Sequence, residues 1–222
     1  MHSEWRAISA AALVIGVTAL FFGSQLIPRP TGDGEVLALS TTSPELWLTA
    51  SLILVVASLG LLLGISSLEP LVRRRGFLFA LLGMLLIVFA AVILFGFAQQ
   101  LILLRALSIE ADVDQDVLAA AMREPVQRAL MTGGFLFFYA GEVFLAIGLL
   151  MAGIAPRWVS WALMSHVVFA LVLSRLDAPE LRSLPPLLMV VAFLGAAVAA
   201  NRAALTGEGR GRTSALDDQP ER

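Results

Sequence analysis

Two residue types are missing from this sequence of 222 residues: it contains no cysteine and no lysine. Without Cys the chain cannot form a disulfide, a thiolate metal site, an iron–sulfur cluster or a cysteine nucleophile. Without Lys it cannot form a retinal-type or pyridoxal-type Schiff base, because that bond needs a side-chain amine. All fifteen basic residues are Arg, which, beside so much Ala, Gly and Leu, indicates a GC-rich bacterial genome.

Charged residues are also scarce, at 14% of the chain against 59% hydrophobic residues. A soluble domain carries roughly a quarter charged residues. A globule of this size must cover its surface with polar groups, and a surrounding lipid phase removes that requirement. The composition therefore predicts an integral membrane protein.

Six apolar runs are each long enough to cross about 30 Å of hydrocarbon as a helix. They cover residues 7–27, 46–68, 77–104, 129–152, 158–173 and 185–200. The first is too long for the apolar part of a signal peptide, so we interpret it as a retained span. The sequence predicts an all-α fold, a polytopic transmembrane bundle of six helices within residues 1–206.

Two segments outside these spans have a predicted structure of their own. Between spans three and four, apolar residues from Val113 to Met122 recur at helical spacing, which predicts a short amphipathic helix on the membrane surface. Residues 207–222 are rich in Gly, Arg, Asp and Pro, which predicts a disordered cytoplasmic tail. No soluble domain is expected.

The distribution of Arg predicts the orientation, because cytoplasmic loops carry an excess of basic residues. With a cytoplasmic N-terminus, nine arginines lie on the cytoplasmic side and six on the other. The nine are Arg6, Arg73, Arg74, Arg75, Arg157, Arg202, Arg210, Arg212 and Arg222. We expect a bacterial plasma membrane, with both termini in the cytoplasm. The triplet Arg73, Arg74 and Arg75 is expected to fix this topology or to bind lipid head groups.

Glu142 is the one charged residue near the middle of a predicted span. A charged side chain at that depth costs about 3 kcal/mol on insertion scales, so it should face protein and have a partner. If spans four and five form a hairpin about the turn at Ile154 and Ala155, His166 lies within about 1.5 Å of the depth of Glu142. Tyr139 lies one helical turn away on the same face.

Two interpretations of this intramembrane polar set remain open. A protonatable pair of Glu142 and His166 could serve proton transfer or the recognition of a polar ligand. Alternatively, neutral Glu and His side chains hydrogen-bond to each other or to Tyr139 or Ser165 and hold two helices together, at about 1 kcal/mol.

The sequence shows no catalytic motif, and no cofactor or metal is expected. A metal site at this pair would have only two ligands, and a bis-His haem is excluded because the other His is His2. Phosphate-binding glycine loops, a nucleophile elbow and a basic nucleic-acid patch are also missing. Membrane lipids are the expected partners, with a protein partner or a second copy of the chain as further candidates.

Several features resemble uncharacterised six-span bacterial membrane proteins grouped as domains of unknown function. They are the segment Ser43-Pro44-Glu45-Leu46-Trp47, the long third span with its helical loop, the Pro156-Arg157-Trp158 hairpin and the Pro185-Pro186 entry to the last span. The resemblance covers the chain to about Ala200. It implies an architecture and no activity.

Three functions follow as hypotheses. The first is a non-catalytic accessory, assembly or regulatory component, favoured because spans two and six carry no charged residue. The second is a small proton-linked transporter that uses Glu142 and His166. The third is a membrane-embedded enzyme acting on a lipid or quinone.

Overall fold

The computed structural model describes residues 2–26, 42–71, 75–109, 113–173, 181 and 183–217. These residues form seven α-helices and one 3-10 helix, and no strand. The helices are α1 (His2–Leu26), α2 (Pro44–Gly64), α3 (Phe77–Ile109), α4 (Gln115–Met122), α5 (Pro125–Ala152), α6 (Arg157–Leu173) and α7 (Leu184–Asp217). The 3-10 helix Ile65–Leu71 continues α2. The predicted all-helical class is confirmed for this part of the chain.

Five of the helices are long and apolar enough to cross a membrane. Their candidate spans are Trp5–Leu26, Pro44–Leu71, Phe77–Ile109, Pro125–Ala152 and Leu184–Ala203. Helix α6 is apolar but has 17 residues, a length of about 25 Å. The structure therefore establishes five candidate spans and a shorter apolar helix, and a sixth crossing stays a prediction.

Six of the helices form a closed ring in chain order: α1, α2, α3, α5, α6 and α7. Each packs against the next, and α7 returns to contact α1. Successive helices run in opposite directions: Gly16 of α1 meets Gly60 of α2, whereas Gly23, further along α1, meets Leu54. Consequently α1 begins and α7 ends at the same end of the bundle, where α5 turns into α6 at Gly153. We refer to this as the Gly153 end and to the opposite one as the Leu173 end.

Close helix contacts in the ring depend on glycine. An added Cβ on Gly148 of α5 would lie 2.6 Å from both the Cβ and the backbone N of Ala80 in α3. Gly60 and Gly64 of α2 similarly face the backbone of α1. Small residues let helix backbones approach without a hydrophobic driving force, which lipid does not supply. These glycines thus mark helix contacts inside one chain.

The turn between α5 and α6 is fixed by a C-cap. Gly153 adopts a left-handed conformation with φ 64°, and its N–H donates to the carbonyl of Leu149. A residue without Cβ takes that conformation at no steric cost. The tight turn brings α5 and α6 together as antiparallel neighbours, as the sequence predicted from the same residues.

Helix ends differ from the predicted boundaries. Helix α3 continues to Ile109, five residues past the predicted end, and α5 begins at Pro125 instead of residue 129. Helix α7 continues to Asp217, past the predicted end of the last span at residue 200. The disorder of residues 207–222 stays a prediction.

The short helix α4 occupies the predicted loop between α3 and α5. Its N-cap residue Asp114 accepts a hydrogen bond from the N–H of Asp116. Leu118 and Ala119 are buried against Leu104 of α3, whereas Val117 is 59% exposed. The helix is therefore present, and its location on the membrane surface stays a prediction.

Candidate intramembrane acid–imidazole site

Glu142 lies on the buried face of α5, among residues that recur at helical spacing. Phe138, Leu145, Ala146 and Leu149 share that face and are at most 8% exposed, and Glu142 itself is 0% exposed. Ten residues separate it from the end of α5 at Ala152, a rise of about 15 Å. That is half of a hydrocarbon layer about 30 Å thick, so the carboxyl group is far from either end of the bundle.

His166 of α6 faces this carboxyl group directly. Its Nδ1 lies 2.6 Å from Oε2 of Glu142, and the imidazole is 5% exposed. A hydrogen bond joins the two atoms, and the imidazole tautomer and the protonation of the carboxyl group decide which of them donates. The depth argument from the hairpin turn placed these residues level, and the structure brings the two side chains together.

Two aromatic rings of α5 enclose the imidazole. The ring centroid of Tyr139 lies 5.8 Å from that of His166, with the planes inclined at 66°. The corresponding values for Phe138 are 6.5 Å and 78°. Both are edge-to-face contacts, a favoured geometry for aromatic pairs. They lock the imidazole orientation, so that its Nδ1 stays directed at the carboxyl group.

The second oxygen of the carboxyl group is unsatisfied. Oε1 of Glu142 is fully buried and has no hydrogen-bond partner among the described residues. A buried polar atom in this state costs about 1–3 kcal/mol. A contact that served only to join two helices would gain stability from a fully satisfied polar group. Oε1 can accept a hydrogen bond or a proton from a species that enters the site.

No other ionisable side chain faces this depth from the surrounding helices. The parts of these helices that face the site contain one such residue, Glu45, which lies at the Leu173 end. These parts are residues 7–26 of α1, 44–68 of α2 with its 3-10 extension, 77–104 of α3 and 184–200 of α7. In the part of the chain that the structure describes, no group of three or more His, Cys, Asp or Glu residues could hold a metal ion. The site is thus one acid, one imidazole and a neighbouring phenol.

The Arg triplet is only partly described. Arg73 and Arg74 lie outside the described residues, and Arg75 is exposed just before Gly76, at the Gly153 end. Described arginines at the same end include Arg6 at the start of α1 and Arg157 at the start of α6. Their lipid-binding or topological role stays a prediction.

Three interhelical polar contacts were not foreseen from the sequence. Ser9 of α1 donates to the carbonyl of Leu63 at 2.6 Å, and Gln127 of α5 donates to Gln100 of α3. Trp47 is 5% exposed and donates from Nε1 to the carbonyl of Leu101 at 2.7 Å. Ser, Gln and Trp are common near helix ends, so sequence alone gave no signal for these pairings.

Comparison with protein-family models, with curated proteins and with solved structures finds no match to this chain. The resemblance to six-span bacterial membrane proteins accordingly stays a prediction.

Proposed function

We propose that the chain is a six-span protein of a bacterial plasma membrane, with the Gly153 end of the bundle in the cytoplasm. Helix α6, although short, closes the ring between α5 and α7. Arg6, Arg75, Arg157 and Arg202 support the orientation, because all four lie toward the Gly153 end and basic residues favour the cytoplasmic side. Reporter tags on the two termini should both be cytoplasmic; tags on opposite faces would refute the six-span topology.

For its activity we propose a non-catalytic accessory, assembly or regulatory component of a membrane complex. The supporting observation is the apolar interior: at mid-depth, Glu142 and His166 form an isolated contact within a continuous cluster of buried Leu, Ala, Ile and Phe side chains. Side chains of this kind pack helices together and offer no reacting group. Lipids would surround the bundle, and a protein partner or a second copy would associate through its apolar perimeter.

Two experiments test the accessory role. The first is purification of the chain in mild detergent, and the second is its deletion from the native membrane. A partner should co-purify in fixed stoichiometry, and its level in the membrane should fall when the chain is removed. Both the wild type and Glu142→Gln should restore that level, because the accessory role does not need an ionisable site. A chain that purifies alone, and whose removal changes no other membrane protein, would refute the proposal.

A second candidate, a small proton-linked carrier, is favoured by one observation: Oε1 of Glu142 is buried without a described partner, and Oε2 of the same carboxyl group is hydrogen-bonded to an imidazole. Ionisable residues inside a membrane commonly form proton relays in transporters. In liposomes containing a trapped pH-sensitive dye, wild-type protein should dissipate an imposed pH gradient. Glu142→Gln and His166→Ala should not, even where the variant protein remains folded in the vesicles. Equal proton flux in all three proteins would exclude this mechanism.

A further inference from the structure

The bundle is packed unevenly on the two sides of the Glu142–His166 contact. Toward the Gly153 end, both α5 and α6 present continuous buried faces. Their members are at most 1% exposed: Leu145, Ala146 and Leu149 on α5, and Val159, Ser160 and Leu163 on α6. Interiors at this packing density hold few voids as large as a water molecule. The Gly153 side of the site is therefore closed.

Toward the Leu173 end, the buried face of α6 stops at Val167. The positions that continue this face by one and two turns, Ala170 and Leu173, are only half-buried. Residues on the other faces of this part of α6, such as Val168, are mostly exposed. His166 is about 10 Å from the end of α6 on this side. On α6 the packing that closes the other side is not continued here, whereas Gly134 and Phe138 of α5 stay buried on this side.

Tyr139 lies between the Glu142–His166 contact and the loosely packed part of α6 that follows Val167. It is half-buried and lies one turn from Glu142 toward the Leu173 end, with its ring against the imidazole. A phenol combines an apolar body with a polar tip, which suits a position between a buried acid and a polar route. Phe138 covers the adjoining face of the imidazole.

We infer that Glu142 and His166 form a proton-binding site reached by water from the Leu173 end, past Tyr139 and along the Ala170 face of α6. This inference rests on the second candidate function, the proton-linked carrier. It names the side from which protons enter and the helix face they follow. Among the residues that the structure describes, the titratable groups on this route are Glu142 and Tyr139 of α5 and His166 of α6; the described parts of α3 and α7 add none at this depth.

The test uses the absence of native Cys, because every introduced thiol is then the only one in the chain. The single variant Ala170→Cys places a thiol on the proposed route. Val168→Cys places it on the opposite side of α6, and Ser160→Cys places it in the closed half of the bundle. A small, charged, membrane-impermeant methanethiosulfonate is added to either face of oriented vesicles. The thiolate attacks the sulfenyl sulfur of the reagent, forming a mixed disulfide and releasing methanesulfinate, and the thiolate forms in water and not in hydrocarbon.

Ala170→Cys should react from the Leu173 face at least about tenfold faster than Val168→Cys or Ser160→Cys. Leu173→Cys lies one turn nearer the Leu173 end and should react faster still. If Ala170→Cys does not fold, Leu173→Cys is compared with the two controls in its place. Equal rates at Ala170→Cys and Val168→Cys would refute the route, as would modification of Ser160→Cys from the Gly153 face. Labelling of the thiols does not require transport. If Ala170→Cys is labelled as expected but the wild type shows no proton flux, the carrier function is refuted and the water route stands.

Discussion

Replacing Glu142 and His166 singly and together measures how strongly their contact joins α5 and α6. His166→Leu leaves two buried carboxyl oxygens without a partner, because Oε1 already has none. Glu142→Leu removes that unsatisfied oxygen and leaves only Nδ1 of His166 unpaired. With about 1–3 kcal/mol for each unsatisfied buried group, His166→Leu should lower the unfolding free energy by about 2 kcal/mol. Glu142→Leu should change it little, because it replaces one unsatisfied buried group with another.

The double variant distinguishes a direct contact from two independent effects. Because it leaves neither partner stranded, it should be destabilised no more than His166→Leu alone, with a coupling on the order of 1 kcal/mol, as for interhelical hydrogen bonds in membranes. The unfolding free energy is measured by steric trapping in bicelles. Additive losses within about 0.5 kcal/mol, or a larger loss for Glu142→Leu than for His166→Leu, would refute this account of the contact.

Three further changes test the packing of the bundle. Gly60→Ala should destabilise the protein by about 1–3 kcal/mol, because the new Cβ would lie 2.6 Å from the backbone N of Gly16. Trp47→Phe should cost about 1 kcal/mol by leaving the buried carbonyl of Leu101 without its indole donor. Gly153→Ala should cost about 1 kcal/mol, because its φ of 64° is unfavourable for a residue with Cβ. Each is read from the same unfolding measurement.

Matched controls separate these effects from general intolerance of substitution. Gly96 lies inside α3 with no atom within 4 Å of an added Cβ. Gly96→Ala should therefore stabilise α3 by up to about 1 kcal/mol through helix propensity. Trp161 is 59% exposed, so Trp161→Phe should change the unfolding free energy little. A neutral Gly60→Ala would contradict the close approach of α1 and α2, and a destabilising Gly96→Ala would contradict the open space beside that residue in α3.

The site could be predicted from sequence to an unusual degree because the hairpin is short. A turn of a few residues fixes the depth at which two helices face each other, and helical rise then places His166 level with Glu142. Depth alone does not fix rotation about the helix axis. The direction in which each side chain points was decided by the close packing of α5 on α3, where Gly141 and Gly148 face Gly83 and Ala80.

By itself the sequence determined the class of this protein. Long apolar runs bounded by Pro, Gly and Arg can satisfy their backbone polar groups only as helices in lipid, and these residues set where each helix turns. The tertiary structure decided which residues meet: it buried Trp47, paired Gln100 with Gln127, and left Oε1 of Glu142 unsatisfied. Such pairings depend on the rotation and approach of neighbouring helices, which arise from packing many side chains at once and have no local signature in the chain.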